Sequence, residues 1–193
     1  MAYIRISDLE EYAHINHIPI MMSDGIEFLT DYIKKNNIKR ILEIGTAIGY
    51  SSIRMALVSD DIKVTTIERD KVMYNEAIKN IKSFNLDDRI NVIYSDALDI
   101  NLNDKYDLIF IDAAKSQYIK FFNKFKENLR ENGVIITDNL SFHGLVYDSS
   151  NCSRNTRQLV NKIKKYIEFL KDNKEYKTVF LSVGDGISIT KKK

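Results

Sequence analysis

The chain has 193 residues, enough for a full hydrophobic core without covalent staples, and its single cysteine, Cys152, rules out an internal disulfide and favours a reducing compartment. A net charge of +2 excludes a global polyanion-binding signal, although basic residues crowd the C-terminal part. No apolar run approaches the ~20 residues of a membrane span and no signal-peptide core opens the chain, so a cytoplasmic protein without a membrane partner is expected.

In chain order, Ser7–His17 and Ser23–Asn36 have helical spacing, with Ser7 and Ser23 as N-caps and Pro19 between them. Short β-branched runs predict strands at Arg40–Ile44, Val64–Glu68, Ile90–Tyr94, Leu108–Asp112 and Val134–Asp138. Helical spacing recurs between them at Ser51–Val58, Val72–Phe84 and Tyr118–Leu129, and a further helix carries Arg154 to Lys165. Such alternation implies right-handed crossovers and a parallel sheet. Strands Thr178–Val183 and Gly186–Thr190 are separated only by Gly184-Asp185, a hairpin linker, so the last strand should run antiparallel. The expected fold is α/β: a Rossmann-like doubly wound sheet of seven strands, mostly parallel with the last antiparallel, and helices on both faces. With no repeat or linker, one domain should cover residues 1–193, with N-terminal helices at 1–37 and the α/β core at 38–193.

The stretch Ile41-Leu-Glu-Ile-Gly-Thr-Ala-Ile-Gly-Tyr-Ser51 reads as a buried strand turning into a helix beside a ligand crevice. Its Gly45-x-x-x-Gly49 spacing is not the Gly-x-Gly-x-x-Gly that admits a pyrophosphate. Glu43 would repel phosphate and suit an ammonium or sulfonium, which points away from a dinucleotide and toward S-adenosylmethionine. Acidic residues then recur at the carboxyl ends of successive strands: Glu43, Glu68, Asp96, Asp112 and Asp138. Ordinary turn residues could account for any one of them; scattered turns would also populate the opposite edge. Glu68 can accept from both hydroxyls of a ribose, Asp96 from an adenine amino group, and Ser51 could hold a carboxylate. The alternative for Ser51 is a residue that stabilises only its helix.

Asp112 and the Asp138-Asn139 pair end adjacent strands, expected ~4.8 Å apart. Two carboxylates and an amide oxygen are hard ligands that suit Mg²⁺, with Mn²⁺ or Ca²⁺ as substitutes. Lys115, three residues past Asp112, could be the general base for an acceptor hydroxyl, or an exposed lysine at a helix start. His14 and His17 read as surface or interface residues rather than ligands.

As an ordered set, Leu-Glu-Ile-Gly-Thr-x-x-Gly-Tyr-Ser, the ribose Glu, Asp-Ala-x-Lys and Asp-Asn resemble the class I, metal-dependent O-methyltransferases, which include catechol and caffeoyl-CoA O-methyltransferases. The likeness runs from about Pro19 to Thr190. It implies that Glu43, Gly45, Ser51, Glu68, Asp96, Ala97 and Asp112 line an S-adenosylmethionine site, that Asp112, Asp138 and Asn139 hold the metal, and that Lys115 is the base. Met21, with Met22 as competitor, matches a cofactor-contacting position. Plant members often read Asp-Ala-Asp-Lys where this chain has Ala114, a departure that removes no expected ligand. Asp-Asn-Leu-Ser-Phe-His-Gly-Leu-Val and Gly-Asp-Gly-Ile-Ser-Ile bring the chain nearer to short bacterial members, a subgroup that includes tRNA 5-hydroxyuridine methylation at the wobble position.

The implied substrate is therefore tRNA, with small-molecule catechols or hydroxycinnamoyl esters as the alternative; both present two neighbouring oxygens to one ion. Phe142, His143 and Tyr147, followed by Arg154, Arg157 and Lys162, could stack an unpaired base and hold its phosphates. The same helix would carry lysines outward merely for solubility. Family members are often homodimers, and Ile4, Ile6, Leu9 and Tyr12 could cover a partner or pack on their own sheet.

Overall fold

Two helices, α1 (Ile6–Ile15) and α2 (Ser23–Lys35), precede the sheet. Neither predicted serine is the cap. The N-caps are Arg5 and Met22. Asp8 accepts from the Arg5 backbone N–H at 2.9 Å, so the helix starts ahead of Ser7. Asp24, in the first turn of α2, accepts from the neighbouring Gly25 N–H at 3.0 Å. The computed structural model describes residues 5–148, 150 and 152–193.

After β1 (Arg40–Ile44) come α3 (Tyr50–Ala56), β2 (Lys63–Glu68), α4 (Lys71–Ser83), β3 (Ile90–Tyr94), β4 (Tyr106–Ile111), α5 (Tyr118–Phe125) and β5 (Leu129–Thr137). Then α6 (Arg154–Lys171) leads to β6 (Tyr176–Leu181) and β7 (Ile187–Lys192). The seven strands lie in the order β3-β2-β1-β4-β5-β7-β6. All neighbouring pairs are parallel except those of β7, which runs antiparallel to β5 and β6. The chain winds outward from β1 to β3 and then returns to the other side of β1 as β4. That reversal opens a crevice at the carboxyl ends of β1 and β4.

Side-chain alternation divides the core. Ile41, Leu108, Phe110, Val134 and Ile136 pack under α1 to α4. Leu42, Ile44, Ile109, Ile111 and Ile135 pack under α5 and α6. Leu9 is buried in the first layer with Ile6 packed against it, so both serve their own core; Tyr12 stays 39% exposed and Ile4 lies outside the described residues. The predicted helix at Tyr118–Leu129 ends at Phe125, and a 3₁₀ turn at Lys126–Asn128 hands over to β5. The β6–β7 connection spans residues 182–186 rather than two residues, because Asp185 turns inward instead of capping a tight hairpin. Among the described residues no helix is long and apolar enough to cross a membrane.

Candidate functional site

The β1–α3 turn forms the floor of the crevice. Gly45 has φ +100°, and a Cβ there would lie 2.2 Å from the Asp112 carbonyl oxygen. Only glycine lets the ends of β1 and β4 abut this closely. Ala47 also adopts left-handed backbone, φ 46°, held by its N–H donating to Glu68 Oε2 at 2.8 Å. Glu68 Oε1 accepts from Asp70 N–H at 2.8 Å, so this carboxylate ties the first turn to the end of β2.

A cleft of about 290 Å³ opens above the turn. Met21, Gly45, Ser51, Glu68, Asp96, Ala97, Asp112, Lys115 and Asn139 share its wall. Met22, the competitor of Met21, is half exposed and does not line it. Asp96 closes its own turn, with Oδ1 accepting from Leu98 N–H at 2.9 Å, and Arg69 stands 3.5 Å from Oδ2.

Glu43 lies one layer behind the cleft. The pleat turns its side chain toward α3, where it is fully buried and accepts from Ser51 and Thr66, at 2.5 and 2.6 Å, and from Ser52. Desolvation pushes its carboxyl up to about 7 against the pull of these hydroxyls. Glu43 therefore reaches the cleft only through Ser51.

The other end of the cleft is set by strand register. Ile44 pairs with Ile111 and Ile111 with Thr137, so Asp112 and Asp138 leave adjacent strands side by side. Lys115 Nζ donates to Asn139 Oδ1, and Asn139 Nδ2 donates to Asp138 Oδ2 at 3.0 Å. Asp138 Oδ1 is buried and has no hydrogen-bond partner among the described residues. Burial, and then the neighbouring Asp112 charge, pushes the Asp138 carboxyl up to about 7; burial likewise raises Asp112, opposed by Lys115. An orphaned carboxylate oxygen beside a second carboxylate and an amide oxygen is what a hard divalent cation would relieve. The fit depends on the amide, since no group of three or more His, Cys, Asp or Glu side chains gathers as a metal site among the described residues.

Three participants escaped the sequence. Tyr50 lines the cleft and donates to Glu10 Oε1 at 2.6 Å, which joins α1 to α3; burial and then Glu10 push its phenol up to about 12. Arg69 follows Glu68 directly and lines the cleft by that adjacency. Asp185, expected only as part of a hairpin linker, is 4% exposed and raises both Asp112 and Asp138 by its charge. By contrast, Arg154, Arg157 and Lys162 are exposed on α6 away from the cleft wall. Arg157 is engaged with the Ser150 and Cys152 carbonyls at 3.3 and 3.4 Å.

The sequence profile of the family described as O-methyltransferase matches residues 4–193. A caffeoyl-CoA O-methyltransferase of Populus kitakamiensis is 28% identical, over 98% of this chain and 84% of the relative. A crystal structure from Staphylococcus aureus, provisionally assigned as a caffeoyl-CoA O-methyltransferase, superimposes with a TM-score of 0.94 at 44% identity, covering 98% of this chain and 93% of the other. An O-methyltransferase from Bacillus cereus in complex with S-adenosylhomocysteine gives 0.83 at 26% identity, covering 97% and 90%.

Proposed function

Because the chain belongs to the O-methyltransferase family and is an S-adenosylmethionine-dependent enzyme of the caffeoyl-CoA type, we propose that it methylates one of two neighbouring oxygens on a small aromatic diol. The observation that carries this reading is Asp112 beside Lys115 and Asn139 at one end of a cleft whose other end holds Glu68 and Asp96, with the buried Asp138 carboxylate adjoining Asp112 from the next strand end, off the cleft wall.

In this reading Glu68 takes the ribose hydroxyls and Asp96 the adenine amino group. Met21, Gly45, Ser51 and Ala97 wall the remainder of the cofactor. Asp112, Asp138 and the Asn139 amide oxygen hold Mg²⁺, or Mn²⁺ or Ca²⁺ in its place. Bound there, the ion would supply positive charge that acidifies the acceptor hydroxyl. Lys115 takes the hydroxyl proton; the oxygen forms the new C–O bond as the methyl C–S bond breaks, leaving S-adenosylhomocysteine. The names of relatives such as the caffeoyl-CoA enzyme support the acceptor class.

The test is S-adenosylhomocysteine release from purified protein, S-adenosylmethionine, Mg²⁺ and catechol or a caffeoyl ester. Turnover that stops on chelation and returns with added metal supports both the acceptor and the ion. Turnover indifferent to chelation rejects the ion.

A second reading, methylation of tRNA 5-hydroxyuridine to 5-methoxyuridine, is favoured by the exposed Arg154 and Lys162 on α6. It predicts loss of 5-methoxyuridine from tRNA when the gene is deleted, read by nucleoside mass spectrometry. Unchanged 5-methoxyuridine rejects it. Reversing Arg154 and Lys162 is the cleaner binding check, since Arg157 also braces the preceding loop.

A further inference from the structure

The segment after β5 has an unusual backbone. Asn139, Phe142 and His143 have φ of 61°, 48° and 55°, a left-handed conformation that non-glycine residues keep only when outside bonds hold them. The bonds made by backbone N–H groups of this segment to other elements go to one place, the turn between β6 and β7. Leu140 N–H donates to the Gly186 carbonyl at 2.9 Å, Ser141 N–H to the Asp185 carbonyl at 2.7 Å, and His143 N–H to Asp185 Oδ1. The approach is close enough that a Cβ on Gly186 would lie 2.7 Å from Ser141 N.

The turn is itself fixed on its far side, where Gly184 N–H donates to Asp24 Oδ2 of α2 at 3.0 Å. The segment in turn carries two contacts of Lys115 Nζ: Asn139 Oδ1 accepts its hydrogen bond, and the Phe142 ring centroid lies 5.7 Å from it. Displacing residues 139–143 would therefore displace the lysine. No part of the chemistry above uses Asp185, yet its carboxylate is buried, with Oδ2 lacking a hydrogen-bond partner among the described residues and standing 3.8 Å from His143 Nδ1. A buried carboxylate kept at such desolvation cost serves whatever its bonded oxygen holds.

We propose that Asp185 is a positioning residue for methyl transfer: by accepting from the His143 backbone N–H it clamps residues 139–143 and so fixes Lys115 against the acceptor end of the cleft. This rests on the reading of that end as the acceptor site.

The experiment compares Asp185→Ala with Asp185→Asn in the purified, metal-supplied enzyme. Asn keeps an acceptor oxygen for His143 N–H; Ala removes it. Asp185→Ala should lower kcat on the diol by about tenfold, the effect of losing one charge-assisted hydrogen bond that orients a reacting group. Its affinity for S-adenosylhomocysteine, measured by calorimetry, should change by less than about twofold, because the cofactor contacts lie at the other end. Amide hydrogen exchange across residues 140–147 should quicken about tenfold in Asp185→Ala, as one held N–H is released, and stay near wild type in Asp185→Asn. Unchanged exchange in Asp185→Ala overturns the clamp. An Asn variant as impaired as the Ala variant overturns the role of the acceptor oxygen. A kcat loss that follows lost cofactor affinity shows a merely structural residue and also overturns it. If wild-type protein fails on every diol, the functional reading falls by itself, while the exchange comparison still decides whether Asp185 holds the segment.

Discussion

Glu43 shows how a single residue type can be placed in the sequence while its surroundings are not. Its position before the glycine turn is legible from Leu42-Glu43-Ile44-Gly45, but the three hydroxyls around it come from α3 and β2. Only the folded register brings Thr66 to it: Thr66 pairs with Glu43 across β1 and β2. Burial raises its carboxyl from 4.5 to about 7, so the folded state holds its proton more tightly than the unfolded chain does. The associated stability is complete below pH ~4.5 and declines as pH rises to about 7, by on the order of 3 kcal/mol. Glu43→Gln should remove that decline, so that its melting temperature varies less with pH between 5 and 7 than that of the wild type. Parallel melting curves would reject the buried, raised carboxyl.

At the scale of elements, β1, β2 and β3 follow their hydrophobic runs closely, and their register carries the Glu68 and Asp96 end of the cleft. The two strands that lead into Asp112 and Asp138 start earlier than their apolar runs indicate and end one residue short of the aspartates. Tyr106-Asp107 and Leu129-Arg-Glu-Asn-Gly133 have no strand pattern, yet they extend β4 and β5. Asp107 explains part of this: it accepts from Lys39 and Arg40 N–H at 3.0 and 2.8 Å, so β4 is pinned beside β1 by a side chain rather than by propensity. The β1–β4 junction is where an added methyl group would matter most. Gly45→Ala combines a positive φ with a 2.2 Å contact to the Asp112 carbonyl. It should cost about 1–3 kcal/mol from the backbone conformation alone and abolish measurable S-adenosylhomocysteine binding. Retained binding by calorimetry would show that the strand ends can separate without loss.

At the scale of the molecule, strand alternation makes the doubly wound sheet legible, and the reversal between β1 and β4 then locates the crevice. The contribution of the 182–186 turn was not legible, because Gly-Asp-Gly has hairpin chemistry whether its carboxylate faces solvent or the interior. A ligand that binds only the folded chain must stabilise it. S-adenosylhomocysteine at ~100 times its dissociation constant should add about 2.7 kcal/mol and raise the melting temperature by roughly 5–10 °C. NAD at the same concentration should leave it unmoved, since the Gly45–Gly49 turn lacks the spacing that cradles a pyrophosphate. A shift with NAD and none with S-adenosylhomocysteine would reverse the cofactor assignment.

Both oxygens of Glu68 are already engaged by backbone N–H groups, from Ala47 and from Asp70. A carboxylate oxygen that accepts one hydrogen bond can accept another, so under the proposed reading the ribose would meet an acceptor whose rotamer is set in advance. The entropy of ordering that carboxylate is lost during folding and not during association. If Glu68 takes the ribose as proposed, affinity at this point of the cleft should be governed by the hydroxyl pattern of the incoming sugar rather than by any adjustment of the protein.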